Sequence, residues 1–332
     1  MIAKAWILSL AAFSSCSFHQ PSTLNHQHPL DWFLQQTING LGLGAIYALM
    51  ALGYTMVYGV LRFINFAHSD VLMLGAFTAF YIAPKVGKLL GAQSVPGCIM
   101  VFVAAAAVCA CLGMLIERLA YRPLRNRPKL TVLITAIGVS LLIEFTAQNE
   151  KVLGAAPQPF PQLLPEHAIH LGNLVVSSND VLTVSVTVVL LAAMWLIVQK
   201  TRVGTAMRAV SYNQQAASLM GVPVDRIISV TFGLGSALAA IAGILYAIKA
   251  PGIEPLMGVQ PGLRAFVAAV LGGIGNLPGA VLGGVLLGLL ETFAGGIPGL
   301  SNYRDAIAFG ILILILLSKP AGLLGRSSVE KV

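Results

Sequence analysis

The chain has 332 residues, of which 57% are hydrophobic and only 10% charged, and it carries a formal net charge of +8. A mean hydropathy of +0.85, with several runs close to the ~20 apolar residues that cross a hydrocarbon core, excludes an ordinary soluble domain. In a soluble protein the positive charge would suggest nucleic acid; here it is sorted by loop and reports topology instead.

In chain order, the first 30 residues stand apart. Lys4 precedes an apolar stretch, Ala5–Phe13, followed by small and polar residues and a patch with histidines at 19, 26 and 28. So short a run fits the start of a signal sequence better than a spanning helix, and a wrongly chosen start codon is an open alternative. Phe13-Ser14-Ser15-Cys16 lacks the leading Leu of a lipid-attachment box, and the histidines read as a polar tail rather than a metal site. Residues 1–30 are therefore set aside as an N-terminal extension, and residues 31–332 are expected to form a single transmembrane domain.

Spans are predicted at about 38–60, 70–84, 97–116, 130–147, 180–198, 227–249, 264–275, 278–291 and 306–318. The 264–275 and 278–291 pieces form a helical hairpin with two arms short for full spans. Between the first two spans lies Arg62–Asp70, RFINFAHSD. Ser69 is placed to cap the next helix, with Asp70 near its positive end, so a capped cytoplasmic turn is expected. The alternative is a gate or partner contact formed by Asn65, His68 and Asp70. Glu144 and Glu291 fall near predicted outer ends, where they either reach water or line a solute path.

The most informative stretch is Thr201–Arg226, a polar, basic interval between two apolar runs. Within it Gly204–Leu219 is predicted as one short helix, stopped by Gly221 and Pro223. A plain linker needs no such device, so the segment is read as a docking element for something soluble at the membrane surface.

Glycine carries information in the spans. Gly40 with Gly44, Gly235 with Ala239 and Gly243, and the series Gly275, Gly279, Gly283, Gly284, Gly288 have the small-residue spacing of close helix approach. The run Leu271–Gly284 is interrupted by Asn276 and Pro278, which predicts a helix–break–helix. Gly279 and Gly283 are expected against a neighbouring helix.

Basic residues orient the chain. Lys4, Arg62, the cluster Arg118, Arg122, Arg125, Arg127 and Lys129, then Lys200, Arg202, Arg208, Arg226, and finally Lys319, Arg326, Lys331 all fall on one side. Only Lys85, Lys88, Lys151, Lys249, Arg264 and Arg304 fall on the other. The docking segment and the C-terminus are thus expected in the cytoplasm. The four cysteines read as apolar filling with no metal site. No phosphate-binding glycine loop and no nucleophile constellation are present, so the chain is read as a non-enzyme without cofactor or nucleic-acid partner.

The motifs TINGLGLGAIYALMALGYTMVYG (37–59), INFAHSDVLMLGAF (64–77), ERLAYRPLR (117–125), the docking segment, AAVLGGIGNLPGAVLGG (268–284) and the tail GRSSVEKV occur in one order. Together they resemble the branched-chain amino acid permeases of ATP-binding-cassette importers, LivH type, from about Asp31 to Val332. The resemblance implies an all-α polytopic membrane protein, a type II importer-like permease with broken or re-entrant helices, in the bacterial inner membrane. It also implies four kinds of neighbour: a second homologous permease, two cytoplasmic ATP-binding subunits, a periplasmic amino-acid-binding protein and membrane lipid. Segment 204–221 resembles the family's coupling helix, with Arg208, Asn213, Ala216, Ala217 and Gly221 at the recurrent positions. Ala216 and Ala217 would let it sink into a groove, and Arg208 and Asn213 would bond across it. Ser69 stands where many members have Gly, and Asp70 where many have Glu. Gly275, Asn276, Pro278, Gly279 and Gly283 belong to the hairpin. The implied function is inward movement of leucine, isoleucine or valine driven by ATP hydrolysis elsewhere. A permease for urea, another amino acid or a sugar, and a self-sufficient channel or secondary transporter, are the alternatives.

Overall fold

The structure, a computed structural model, describes residues 29–63, 65–125, 127–299, 301–319 and 321–325. The readings made for residues 1–28, and for the tail beyond Gly325, lie outside the described residues.

Eleven α-helices are seen among the described residues: α1 Pro29–Leu61, α2 His68–Leu90, α3 Val95–Ile116, α4 Lys129–Ala147, α5 Ser178–Lys200, α6 Arg202–Tyr212, α7 Gln214–Leu219, α8 Val224–Lys249, α9 Val259–Gly272, α10 Leu277–Gly296 and α11 Arg304–Ser318. Eight segments are long and apolar enough to cross a membrane, and α9 is a shorter apolar helix. The chain is a polytopic helical membrane protein.

Apolar runs without a polar face become buried helices, and α1 is the extreme case. Ile46, Tyr47, Leu49 and Met50 are fully buried, because α1 is enclosed by α5, α8, α9 and α10. Backbones meet where glycine removes the side chain. A Cβ at Gly284 would lie 2.4 Å from the Cα of Ala48, and one at Gly288 would lie 2.3 Å from the Cα of Gly44. The pair α1–α10 is thereby locked along its length. α8 meets α2 at Gly75 and Gly243, and meets α3 at Gly113. By contrast α4, α5 and α11 expose Leu142, Phe145, Val188, Val189 and Leu314, an apolar outer surface of the kind that lipid covers.

Two expected boundaries moved. α1 starts at Pro29 rather than near residue 38, because its polar first turns have partners. Gln35 bonds Val175 through both its amide nitrogen and its oxygen, at 2.9 Å each, and Asn173 donates to Asp31 at 2.9 Å. Those partners belong to a hairpin, β2 Ala168–Leu171 with β3 Leu174–Ser177, in the loop between α4 and α5. A second pair joins β1 Gln158–Pro159 to β4 Gly252–Ile253. The other change is in the helical hairpin: α10 has 20 residues, a full span, so only α9 is short.

Candidate functional site

Three regions read from the sequence occupy distinct places in the fold. The first is the turn before α2. Ser69 does not cap that helix. Position Ala67 holds the N-cap without a side-chain bond, and Ser69 lies inside the first turn with Oγ donating to the Phe66 carbonyl at 2.8 Å. Nor is the turn a solvated surface feature. Asn65, His68 and Asp70 are all buried. Tyr121 Oη donates to Asn65 Oδ1 at 2.6 Å, His68 stacks on Tyr54 with ring centroids 4.5 Å apart, and Ser140 Oγ donates to Asp70 Oδ2 at 2.6 Å. Glu144 contacts the same Asp70 carboxylate. The three residues therefore meet three different neighbours, Tyr121, Tyr54 and Ser140. The sequence held no hint of Ser140 or Tyr121 as partners, since both lie on distant helices.

The second region is the break between α9 and α10. Asn276 caps α10, accepting from Gly279 N at 3.4 Å, and its Nδ2 donates to the Leu324 carbonyl at 2.6 Å. The chain after α11 returns here, with Leu323 N and Leu324 N bonded to the carbonyls of Leu271 and Gly272. Gly275 takes a positive φ of 93°, which makes the reversal possible. Pro278 occupies the first turn of α10, where its missing N–H costs nothing. Gly279 and Gly283 face α9: a Cβ on them would lie 2.3 Å from Gly272 O and 2.1 Å from Ala268 O. They close the hairpin on itself.

The third is the polar segment. It is two helices, not one. Asn213 adopts an extended conformation, ends α6 and caps α7 by accepting from Ala216 N at 3.0 Å. Thr201 caps α6 in the same way through Gly204 N at 3.1 Å. Gly221, with φ of 81°, ends α7 through paired bonds: Val222 N to Ala217 O and Gly221 N to Ser218 O, both 3.0 Å. Arg208 is folded back onto the end of α5, bonding the Val198 carbonyl and the Gln199 side chain. Ala217 is buried while Ala216 is exposed. Arg208 and Asn213 thus bond within the segment and to the end of α5, Ala217 is buried, and Ala216 stays open to a partner. What does reach outward was not singled out: Tyr212, Leu219 and Met220 are 89%, 87% and 85% exposed. Exposed apolar side chains on a polar element were the available signal.

Beneath this segment a cavity of about 570 Å³ opens between α1, α5, α6 and the α9–α10 break, lined by Thr55, Gly59, Gln199, Arg208, Ser211 and Asn276. The segment is tied to the end of α1 by Gln214 Nε2 to Val60 O at 3.2 Å. Behind it, the loop after α3 is clamped to the start of α8. Asp225 accepts from Arg122 and Arg125, while buried Glu117 accepts from Arg125 and Ser229.

Two further sets of charges pair within the bundle. Glu291 does not reach water: it is buried, 2.7 Å from Arg264 and 2.8 Å from Tyr47 Oη, and Arg264 also contacts Asp305 at 2.7 Å. Lys249 meets Asp180 at 2.7 Å. Paired ions within a bundle satisfy one another where lipid offers nothing.

Comparison with known proteins follows the same order of elements. Residues 36–316 match the family described as branched-chain amino acid transport system / permease component. The chain is 42% identical over 307 residues to the high-affinity branched-chain amino acid transport system permease protein BraD of Pseudomonas aeruginosa, covering 90% of this chain and 98% of that one. It is 40% identical over 309 residues to the corresponding protein LivH of Escherichia coli, with 91% and 98% covered. A ribose import permease, RbsC of Escherichia coli, is 32% identical over 111 residues, about a third of either chain.

Proposed function

As the chain belongs to the family of branched-chain amino acid transport system permease components, we propose that it moves leucine, isoleucine or valine inward across the cytoplasmic membrane. The observation that carries this is likeness over nine-tenths of the chain to permeases bearing that name. It works as a transport subunit, with hydrolysis of ATP left to two separate cytoplasmic subunits. A second homologous permease completes the membrane unit, and a periplasmic binding protein delivers the solute.

The segment from Arg202 to Gly221 is the coupling element. Its apolar tip, Tyr212, Leu219 and Met220, gives an ATP-binding subunit something to grip. Its caps at Thr201, Asn213 and Gly221 make it stiff enough to transmit the load. The basic loops put that segment and the C-terminus in the cytoplasm. Asn65, His68 and Asp70 serve the turn that α2 hangs from, and Gly275, Asn276, Pro278, Gly279 and Gly283 shape the hairpin beside it.

The test is uptake of radiolabelled leucine by cells that lack their own branched-chain systems and express this chain with its companion subunits. Uptake should require the ATP-binding subunits and be competed by isoleucine and valine, not by ribose or urea. Uptake of ribose or urea in place of leucine would assign another solute, and uptake without the ATP-binding subunits would make it a channel or secondary transporter.

A further inference from the structure

α9 is 14 residues long, about 21 Å, too short for a hydrocarbon core of about 30 Å. Its irregular lead-in, residues 254–258, therefore enters the membrane. It meets the start of α2, another helix that begins inside the bundle. A Cβ at Gly258 would lie 2.1 Å from the Ser69 carbonyl, and one at Gly262 would lie 2.4 Å from Ser69 Cβ. Non-helical backbone at that depth persists only where protein buries it or where it lines a water-filled space, and paired broken helices mark transport sites.

Such a space is present. A cavity of about 160 Å³ lies at this junction, lined by Tyr54, Phe66, Ser140, Glu144, Leu263 and Phe266 among others. Ser140 holds Asp70 directly behind it. Its rim is the outward edge of α9, where Val259, Gln260 and Leu263 are exposed, and Glu144 is only half-buried. An exposed amide and a carboxyl at membrane depth are costly against lipid tails, so this edge faces water or another protein.

We propose that this cavity is a subsite on the solute path, where Glu144 receives the ammonium group of an aliphatic amino acid and Phe66, Leu263 and Phe266 receive its side chain. The volume equals about five waters, close to what the six heavy atoms of leucine outside its carboxylate need, and the solute carboxylate is left at the mouth. The assignment rests on the branched-chain reading above. It adds that the permease itself contacts the solute, at a place where two interrupted helices meet.

The experiment uses the assembled complex in proteoliposomes with its leucine-loaded binding protein. A Leu263→Cys variant is exposed during turnover to a charged, water-soluble maleimide, beside a Val188→Cys control on the lipid-facing side of α5, both read above the unsubstituted chain. Leu263→Cys should react at least about tenfold faster than the control, since thiol alkylation needs access from water, and saturating leucine should slow it. Glu144→Gln should lower leucine uptake about tenfold, the loss of one charge-assisted bond, at unchanged yield of complex. Reaction as slow as Val188→Cys, no protection by leucine, or full uptake by Glu144→Gln would each overturn the subsite. If the unsubstituted complex moves no leucine, the branched-chain reading fails separately, and the alkylation rates still report whether the cavity faces water.

Discussion

Ser140 and Leu219 show what single residues do in this protein. Ser140 Oγ donates to the buried Asp70 carboxylate. Ser140→Ala removes that donor and leaves a buried acceptor short of a partner, at a cost of about 1–3 kcal/mol. The purified variant should melt at a lower temperature, and an unchanged melting temperature would show that Glu144 or water replaces the bond. Leu219 and Met220 carry no such internal duty, being almost fully exposed. Leu219→Asp with Met220→Asp should leave folding intact, yet reduce co-purification of the ATP-binding subunits and abolish uptake. Normal co-purification would move the docking surface elsewhere. Ala217→Trp is a different kind of change. Ala217 is buried, so the added bulk disturbs its packing as well as any docking.

At the scale of elements, the glycine contacts set which helices can sit side by side. Gly284 and Gly288 let α10 touch the backbone of α1 at 2.4 and 2.3 Å from where a Cβ would be. No side chain can be seated there without moving one helix. Gly284→Leu should therefore yield little folded protein by size-exclusion chromatography in detergent. Gly310, on α11, has nothing within 4 Å of its Cβ position. Gly310→Ala should be neutral or stabilising by about 0.5–1 kcal/mol, as expected for glycine replaced in a helix interior. Equal behaviour of the two variants would mean that the small residues reflect composition rather than packing. Gly279 and Gly283 fit the same logic at the α9–α10 hairpin, so damage from Gly279→Leu should begin within this chain.

For the whole molecule, the balance of basic residues makes a topological prediction. Reporter tags placed after Arg127 and after Val332 should lie in the cytoplasm, and one near Gly172, at the tip of the β2–β3 hairpin, should lie outside. A tag after Arg127 reported outside would overturn the orientation. The clamp formed by Glu117, Arg122, Arg125 and Asp225 adds a reason for that loop to stay with the polar segment. It joins the end of α3 to the start of α8 on the side where α6 and α7 lie.

Much of this was legible in the residues because the membrane imposes a one-dimensional code. Apolar runs of span length, polar interruptions at Thr201–Arg226 and Asn276–Pro278, and the sorting of lysine and arginine are properties of local sequence. They located the helices, though not all of their ends. The order of several motifs along the chain gave the family. Other features depend on groups far apart in sequence meeting in space. The start of α1 needed Asn173 and Val175 to satisfy its polar turns. The burial of Asp70 needed Ser140, and that of Glu291 needed Arg264 and Tyr47. The inward turn of Arg208 needed the Val198 carbonyl and the Gln199 side chain at the end of α5, which no periodicity encodes. Sequence fixes where a polar group stands along its helix; only the folded bundle decides what that group faces, because in lipid each buried polar atom must find its partner on another helix.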